Sequence, residues 1–285
     1  MHIVLDKFDS AIISSEEIKA QDLLKHGKID QGIAIYQCLK PESARILNII
    51  GILYATKKDD YHSAIIYYYK ALKIQEKNGD DMSNTLSELG IAYQILHEFD
   101  LALNYHSRAL CIRKLAYTID QTLIANSLLG IANAYWGQQN LTEALNYAQQ
   151  AVNLNESIET GNELNLSTSL AILANIYYSC GNSYQALEVI TRALILLERC
   201  VSSDSLILAS FLNNLATIQV GIGLFSDAKL NFVKALTICK KSLSEGHPQR
   251  QTIENNIKRI IGMEQNNHQN LCSHLWKFSL KTLLT

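Results

Sequence analysis

The residues able to do chemistry in this 285-residue chain are few and poorly spaced for it. His97 and His106 lie nine apart with no cysteine or carboxylate arrangement near them, so no metal site is expected. The six cysteines (Cys38, Cys111, Cys180, Cys200, Cys239 and Cys272) show neither C-x-x-C spacing nor the density of a disulfide-stapled domain. They read as reduced and mostly buried, with Cys111 and Cys239 late in helices where a small apolar residue packs and nothing marks a reactive thiolate. Gly221-Ile-Gly223 lacks the preceding strand that a dinucleotide-binding loop requires, and reads as a helix end and turn. Lys57-Lys-Asp-Asp60 and Lys240-Lys241 are short runs that solvated turns and helix ends account for. The expectation is a protein that is not an enzyme and uses no cofactor. What remains for function is surface chemistry, above all the amides of Asn and Gln and the rings of Trp and Tyr.

Composition narrows the elements that carry those groups. With 48% hydrophobic residues the chain can bury a substantial core, and its net charge of -2 leaves no basic footprint for nucleic acid. The only prolines are Pro41 and Pro248, and the long proline-free stretch between them favours uninterrupted helices over loop-rich β folds. Three segments carry no charge (Gln121 to Thr142, Leu164 to Leu187 and Ser205 to Ser226), long enough to span a bilayer. Each also carries Asn or Gln with Ser, Thr and Gly, groups costly to desolvate in lipid, so no transmembrane span is expected. The first residues meet Asp6 after three apolar ones and form no signal-peptide core, so a cytoplasmic protein is expected.

A repeat organises the chain. Ala102, Ala144, Ala186 and Ala228 are spaced 42 residues apart, and seven residues after each stands another alanine (Ala109, Ala151, Ala193, Ala235) followed by an aliphatic residue. That is the buried face of one helix. Thirteen and sixteen residues before each anchoring alanine lie Leu89, Ile131, Leu173, Leu215 and Leu86, Leu128, Leu170, Leu212, the face of a preceding helix. The twelfth residue before is small (Gly90, Ala132, Ala174, Ala216), so the paired helices approach closely there. Tyr93, Tyr135 and Tyr177 stand nine before, with Gln219 the odd member; Phe99, Leu141 and Phe225 mark the turn, with Ser183 the exception. An earlier copy (Ile50-Gly51, Tyr54, Tyr61, Ala64, Ala71-Leu72) fits with one extra residue in its turn.

The pattern L-x-x-L-[GA]-x-x-Y, then an aromatic, then A-x6-A-L resembles the tetratricopeptide repeat. The 42-residue spacing, with Leu208-Ala-Ser-Phe-Leu-Asn-Asn-Leu-Ala216 and Ser242-Leu-Ser-Glu-Gly-His-Pro248, resembles its kinesin-light-chain type. The resemblance implies an all-α, right-handed superhelical solenoid of antiparallel helix pairs, stabilised by contacts between neighbouring repeats because one helix pair alone is marginal in water. The organisation expected is a lead-in over 1–15, a degenerate first repeat over 16–40, five repeats over 43–247, a capping helix over 249–263 and an apolar tail over 264–285. In the capping helix Ile253, Ile257, Ile260 and Ile261 share one face. The closing proline usual in such repeats is replaced by Lys114, Glu156, Glu198 and Lys240, so each second helix can run on. Leu271, Leu275, Trp276, Phe278, Leu280, Leu283 and Leu284 make the tail apolar nearly all round, and docking on the final repeat is expected of it.

In the family, the first helix of each repeat lines the concave side, where partners usually bind. Mapped onto this sequence, the inward residues left over from the core are Asn84, Ser87, Ile91 and Gln94; Asn126, Leu129, Asn133 and Trp136; Thr168, Ala171, Asn175 and Tyr178; and Ser210, Asn213, Thr217 and Val220. None is charged. The Lys and Arg that such domains use for carboxylates or for tryptophan-acidic peptides have no counterpart in the set. Amides carry both donors and acceptors, which suits a peptide backbone, and Trp136 and Tyr178 add aromatic surface near the middle. The function expected is a non-catalytic scaffold that grips a protein or peptide in an uncharged groove. In the competing reading the asparagines join adjacent helices and the rings cover core, with partners elsewhere. Two further possibilities are the repeat portion of a larger enzyme or motor-associated protein, and a regulator whose curvature responds to a peptide.

Overall fold

The computed structural model describes residues 14–39, 43–158 and 161–263, and among them every regular element is a helix. They run α1 (Ser15–Lys25), α2 (Ile29–Cys38), α3 (Ala44–Lys58), α4 (Tyr61–Asn78), α5 (Ser83–Ile95), α6 (Phe99–Leu115), α7 (Gln121–Gly137), α8 (Leu141–Glu156), α9 (Glu163–Ser179), α10 (Ser183–Cys200), α11 (Leu206–Gly221) and α12 (Phe225–Ser242), then α13 over 248–263. They pair as antiparallel hairpins joined by tight turns: α1 with α2, α3 with α4, α5 with α6, α9 with α10 and α11 with α12. α7 and α8 pair likewise, through the stacked rings of Tyr135 and Tyr147. The chain divides into two compact units between Leu154 and Asn155. Residues 1–13 of the lead-in expected over 1–15, and the tail expected over 264–285 with Cys272, lie outside the described residues.

One turn closes every hairpin. Five residues before each anchoring position stands a residue with positive φ: Gly27, Asp59, His97, Gln139, Gly181 and Gly223. The amide that follows donates back across the turn: Lys28 to the Leu23 carbonyl, Glu98 to Tyr93, Asn140 to Tyr135, Asn182 to Tyr177 and Leu224 to Gln219, each at 2.9 Å. This is the Schellman closure of a helix end. In the α3–α4 turn Asp60 reaches Tyr54, one residue further back, at 3.0 Å, which locates the extra residue in that copy. His97 therefore serves a backbone role, a left-handed turn residue with its ring edge-on to Phe99.

The alanine rows are the cores of the hairpins. Ala64, Ala102, Ala144, Ala186 and Ala228, with Ala71, Ala109, Ala151, Ala193 and Ala235, are all fully buried, because only a methyl group fits where paired helices touch. Four residues after each anchor a side chain wedges into the layer: Tyr68, His106, Ala148, Ile190 and Phe232, all buried. Glycines make room for the larger ones. A Cβ on Gly51 would stand 2.7 Å from the Tyr68 Cδ1, and one on Gly90 or Gly130 would stand 2.6 or 2.5 Å from the His106 ring.

The odd member among the tyrosines is explained by its partner. Tyr54 stacks on Tyr67, Tyr93 on Tyr105 and Tyr135 on Tyr147, at centroid distances of 5.4, 5.5 and 5.6 Å. Those partners stand three residues after the anchors. At the same two positions in α11–α12, Gln219 accepts a 2.9 Å hydrogen bond from Asn231, so a polar pair replaces a stacked one.

Without the closing proline the second helices do run on, α10 and α12 to 18 residues each. Two expectations need correction. Of the described cysteines only Cys239 is buried, while Cys38, Cys111 and Cys200 are exposed. Cys111 stands two residues past Ala109, about 200° round the helix, which turns it away from the buried stripe. In α13, Ile253 and Ile260 are buried as expected, but Ile261 is exposed.

Candidate interaction surface

The first helices of successive repeats lie side by side within each unit, α5 against α7 in one and α9 against α11 in the other. In the first unit Asn84, Ser87, Ile91 and Gln94 stand on α5 and Asn126, Leu129, Asn133 and Trp136 on α7. In the second, Thr168, Ala171, Asn175 and Tyr178 stand on α9 and Ser210, Asn213, Thr217 and Val220 on α11. The side chains divide by what they touch.

Several of these polar groups are engaged by the protein itself. Asn213 accepts from Asn256 of α13 at 3.0 Å, and Ser210 accepts from Gln249 at 2.9 Å, so the capping helix occupies the last of these positions. Thr168 and Thr217 donate to the carbonyls of Leu164 and Asn213 in their own helices. Asn84 accepts from Arg113. Asn84 and Asn213 thus link neighbouring helices. Leu129 and Ala171 are buried. The Tyr178 ring packs over Gly221 of α11, where a Cβ would stand 2.5 Å from it.

A second set is at least partly accessible. Asn126 and Ile91 are exposed, and Asn133, Asn175, Gln94 and Trp136 are half-buried. The side-chain amides of Asn126, Asn133, Asn175 and Gln94 make no hydrogen bond among the described residues, so each keeps its donors and its acceptor for something else.

Behind this face runs a buried polar clasp that the spacing arguments missed. Eleven residues after each anchor, a side chain from the second helix reaches the residue seventeen before the next anchor. Gln75 accepts from Thr85 at 2.9 Å, Arg113 donates to Ser127 at 2.6 Å, and Asn155 donates to Ser169 at 2.7 Å. At the next pair of positions stand Leu197 and Phe211, both buried, a polar clasp exchanged for apolar contact surface. A 42-residue comparison at those offsets would have found the series, but mixed Gln, Arg, Asn and Leu hide it from a search for like residues. Arg113 is its unusual member. It is only 7% exposed, donates also to the Leu123 carbonyl at 2.9 Å and makes no ion pair among the described residues. Burial pushes its guanidinium below the ordinary arginine range, with the field of Asp81, Asp120 and Glu88 opposing.

Among the described residues no group of three or more His, Cys, Asp or Glu is placed to hold a metal ion. None of their helices is long and apolar enough to cross a membrane.

Comparison with known proteins agrees with this architecture. The tetratricopeptide-repeat family matches residues 44–78 and 81–157. No curated protein sequence matches the chain. Among solved structures, NprR in complex with its cognate peptide NprX superposes with a TM-score of 0.65 at 16% identity, covering 89% of this chain and 72% of that one. The apo form of RapI gives 0.57 at 18% identity over 70% and 71%. A putative kinesin light chain of Podosopora anserina with nearly identical TPR-like repeats gives 0.53 at 17% identity over 72% and 100%. At these identities the likeness is one of fold. The chain is a tetratricopeptide-repeat protein, with kinesin-light-chain-like repeats among its structural neighbours.

Proposed function

We propose that this chain is a non-catalytic interaction scaffold that holds a peptide or protein segment against the first helices of its repeats. The observation that carries the reading is the pair Asn126 and Asn133 on α7, whose amides lie on an uncharged face and make no hydrogen bond among the described residues. An extended backbone supplies the alternating donors and acceptors that such amides take, and Trp136 beside them offers a ring for a side chain. Asn175 and Tyr178 repeat the amide-and-ring combination on α9 in the second unit. Ser210, Asn213 and Thr217 contribute less, since their oxygens are already bonded. NprR, whose solved complex holds its cognate peptide, lends support through its similar fold.

The test is binding to a peptide library before and after Asn133→Ala with Trp136→Ala. Neither residue is fully buried, so the melting temperature should hold while binding falls. Retained binding overturns the assignment.

A further inference from the structure

Asn84 differs from the other amides of the first unit. Its Oδ1 accepts a 2.9 Å hydrogen bond from Arg113 Nη2. A guanidinium only donates, so the amide has one orientation, with its carbonyl turned to Arg113 and its NH2 turned away. That NH2 has no hydrogen-bond partner among the described residues. One turn along α5, the Ser87 hydroxyl is buried and without a partner. Residues three apart share a helix face, and a serine rotates about χ1 at little cost, so the orphan hydroxyl is a ready second donor. Arg113 in turn is held by Ser127 and the Leu123 carbonyl, both neutral, so its charge is not cancelled by a contact partner.

We infer that Asn84 and Ser87, backed by Arg113, form a subsite for a planar oxygen acceptor of the bound segment, a main-chain carbonyl or a carboxylate. The inference deepens the proposed function: Arg113 is a positioning residue that fixes this amide with its NH2 turned outward, whereas Asn126 and Asn133 can present either end. The bound chain therefore presents an oxygen to this NH2 at α5. Polarised by the cation behind it, the Asn84 NH2 donates more strongly than an isolated amide. Asp81, Asp120 and Glu88 are the acids whose field reaches Arg113, and they weaken a carboxylate relative to a carbonyl.

The test follows the Asn84 side-chain amide and the Ser87 backbone amide by NMR in the full chain. Sodium acetate and N-methylacetamide are the acceptor probes, and methylammonium chloride is the control. Either acceptor should shift both signals saturably, and methylammonium should leave them unmoved. Acetate alone acting identifies a carboxylate, N-methylacetamide alone a carbonyl. Arg113→Gln, which places at this position the residue that clasps Thr85 from position 75, should weaken the response about tenfold, the worth of one charge-assisted hydrogen bond. Asn84→Asp keeps the acceptor that Arg113 needs and removes the donor, so the protein stays folded and the Ser87 response disappears. The subsite is refuted by absent shifts, by shifts equal with methylammonium, or by an Asn84→Asp variant that responds like the parent. Because the probes are small acceptors, this outcome is independent of whether the Asn133 and Trp136 substitutions abolish peptide binding.

Discussion

The wedge at His106 should make stability fall with acid in a defined window. The imidazole is 2% exposed, neither ring nitrogen has a hydrogen-bond partner, and it is enclosed by Gly90 of α5 and Gly130 of α7. Burial first, and the charge of Arg113 second, lower its pKa from 6.5 to about 4. The folded chain thus refuses a proton that the unfolded chain accepts below about pH 6.5. Stability is unaffected above that value, declines as pH falls toward 4 and levels off below. The full difference of about 2.5 pKa units corresponds to roughly 3 kcal/mol, and the part lost between pH 7.5 and 5.0 is about 2 kcal/mol. Urea unfolding followed by circular dichroism at those two pH values, for the parent and for His106→Phe, measures it. Phe232 shows that a phenyl ring is accommodated at this repeat position elsewhere. Overpacking against the glycines would lower the variant's stability equally at both pH values, so the difference in pH dependence isolates the imidazole. Carboxylates titrating in both proteins cancel in the same subtraction. A variant that loses as much stability on acidification as the parent would refute the burial of a neutral, unpartnered histidine.

Three further outcomes follow from the repeat geometry. Gly130→Ala should cost about 1–3 kcal/mol because its Cβ would stand 2.5 Å from the His106 ring; combining it with His106→Ala should recover part of the loss in a thermal melt. Gln139→Gly should raise stability by about 1 kcal/mol, since a glycine relieves the positive φ of 61° that glutamine holds in the α7–α8 turn; an unchanged midpoint in urea counts against the turn argument. Replacing Gln219 and Asn231 together with tyrosines should be tolerated better than either change alone, with a coupling of about 1 kcal/mol in a double-mutant cycle, as the stacked pairs of the earlier repeats imply.

The repeat spacing was sufficient to read out the helices, their pairing, the alanine rows and even the extra residue before Asp60, because burial of a methyl group at a helix crossing depends on position within one hairpin and is written locally. Gln219 reads as a lapse in the pattern, and only the structure sets Asn231 opposite it. Positions on two helices compensate only when their distance in space is known. That the mapped residues from Asn84 to Val220 carry no charge is written in the sequence, yet which of their amides stay unbonded is not. Asn213 and Ser210 are taken up by α13 some forty residues away, and Asn84 by a guanidinium from the helix behind. Hydrogen-bond capacity is spent pairwise across the fold, so a residue's type states what it can bond and the tertiary structure alone decides what is left for a partner. The same holds for charge: none of the residues mapped on α5, α7, α9 and α11 is charged, and packing brings Arg113 up behind Asn84.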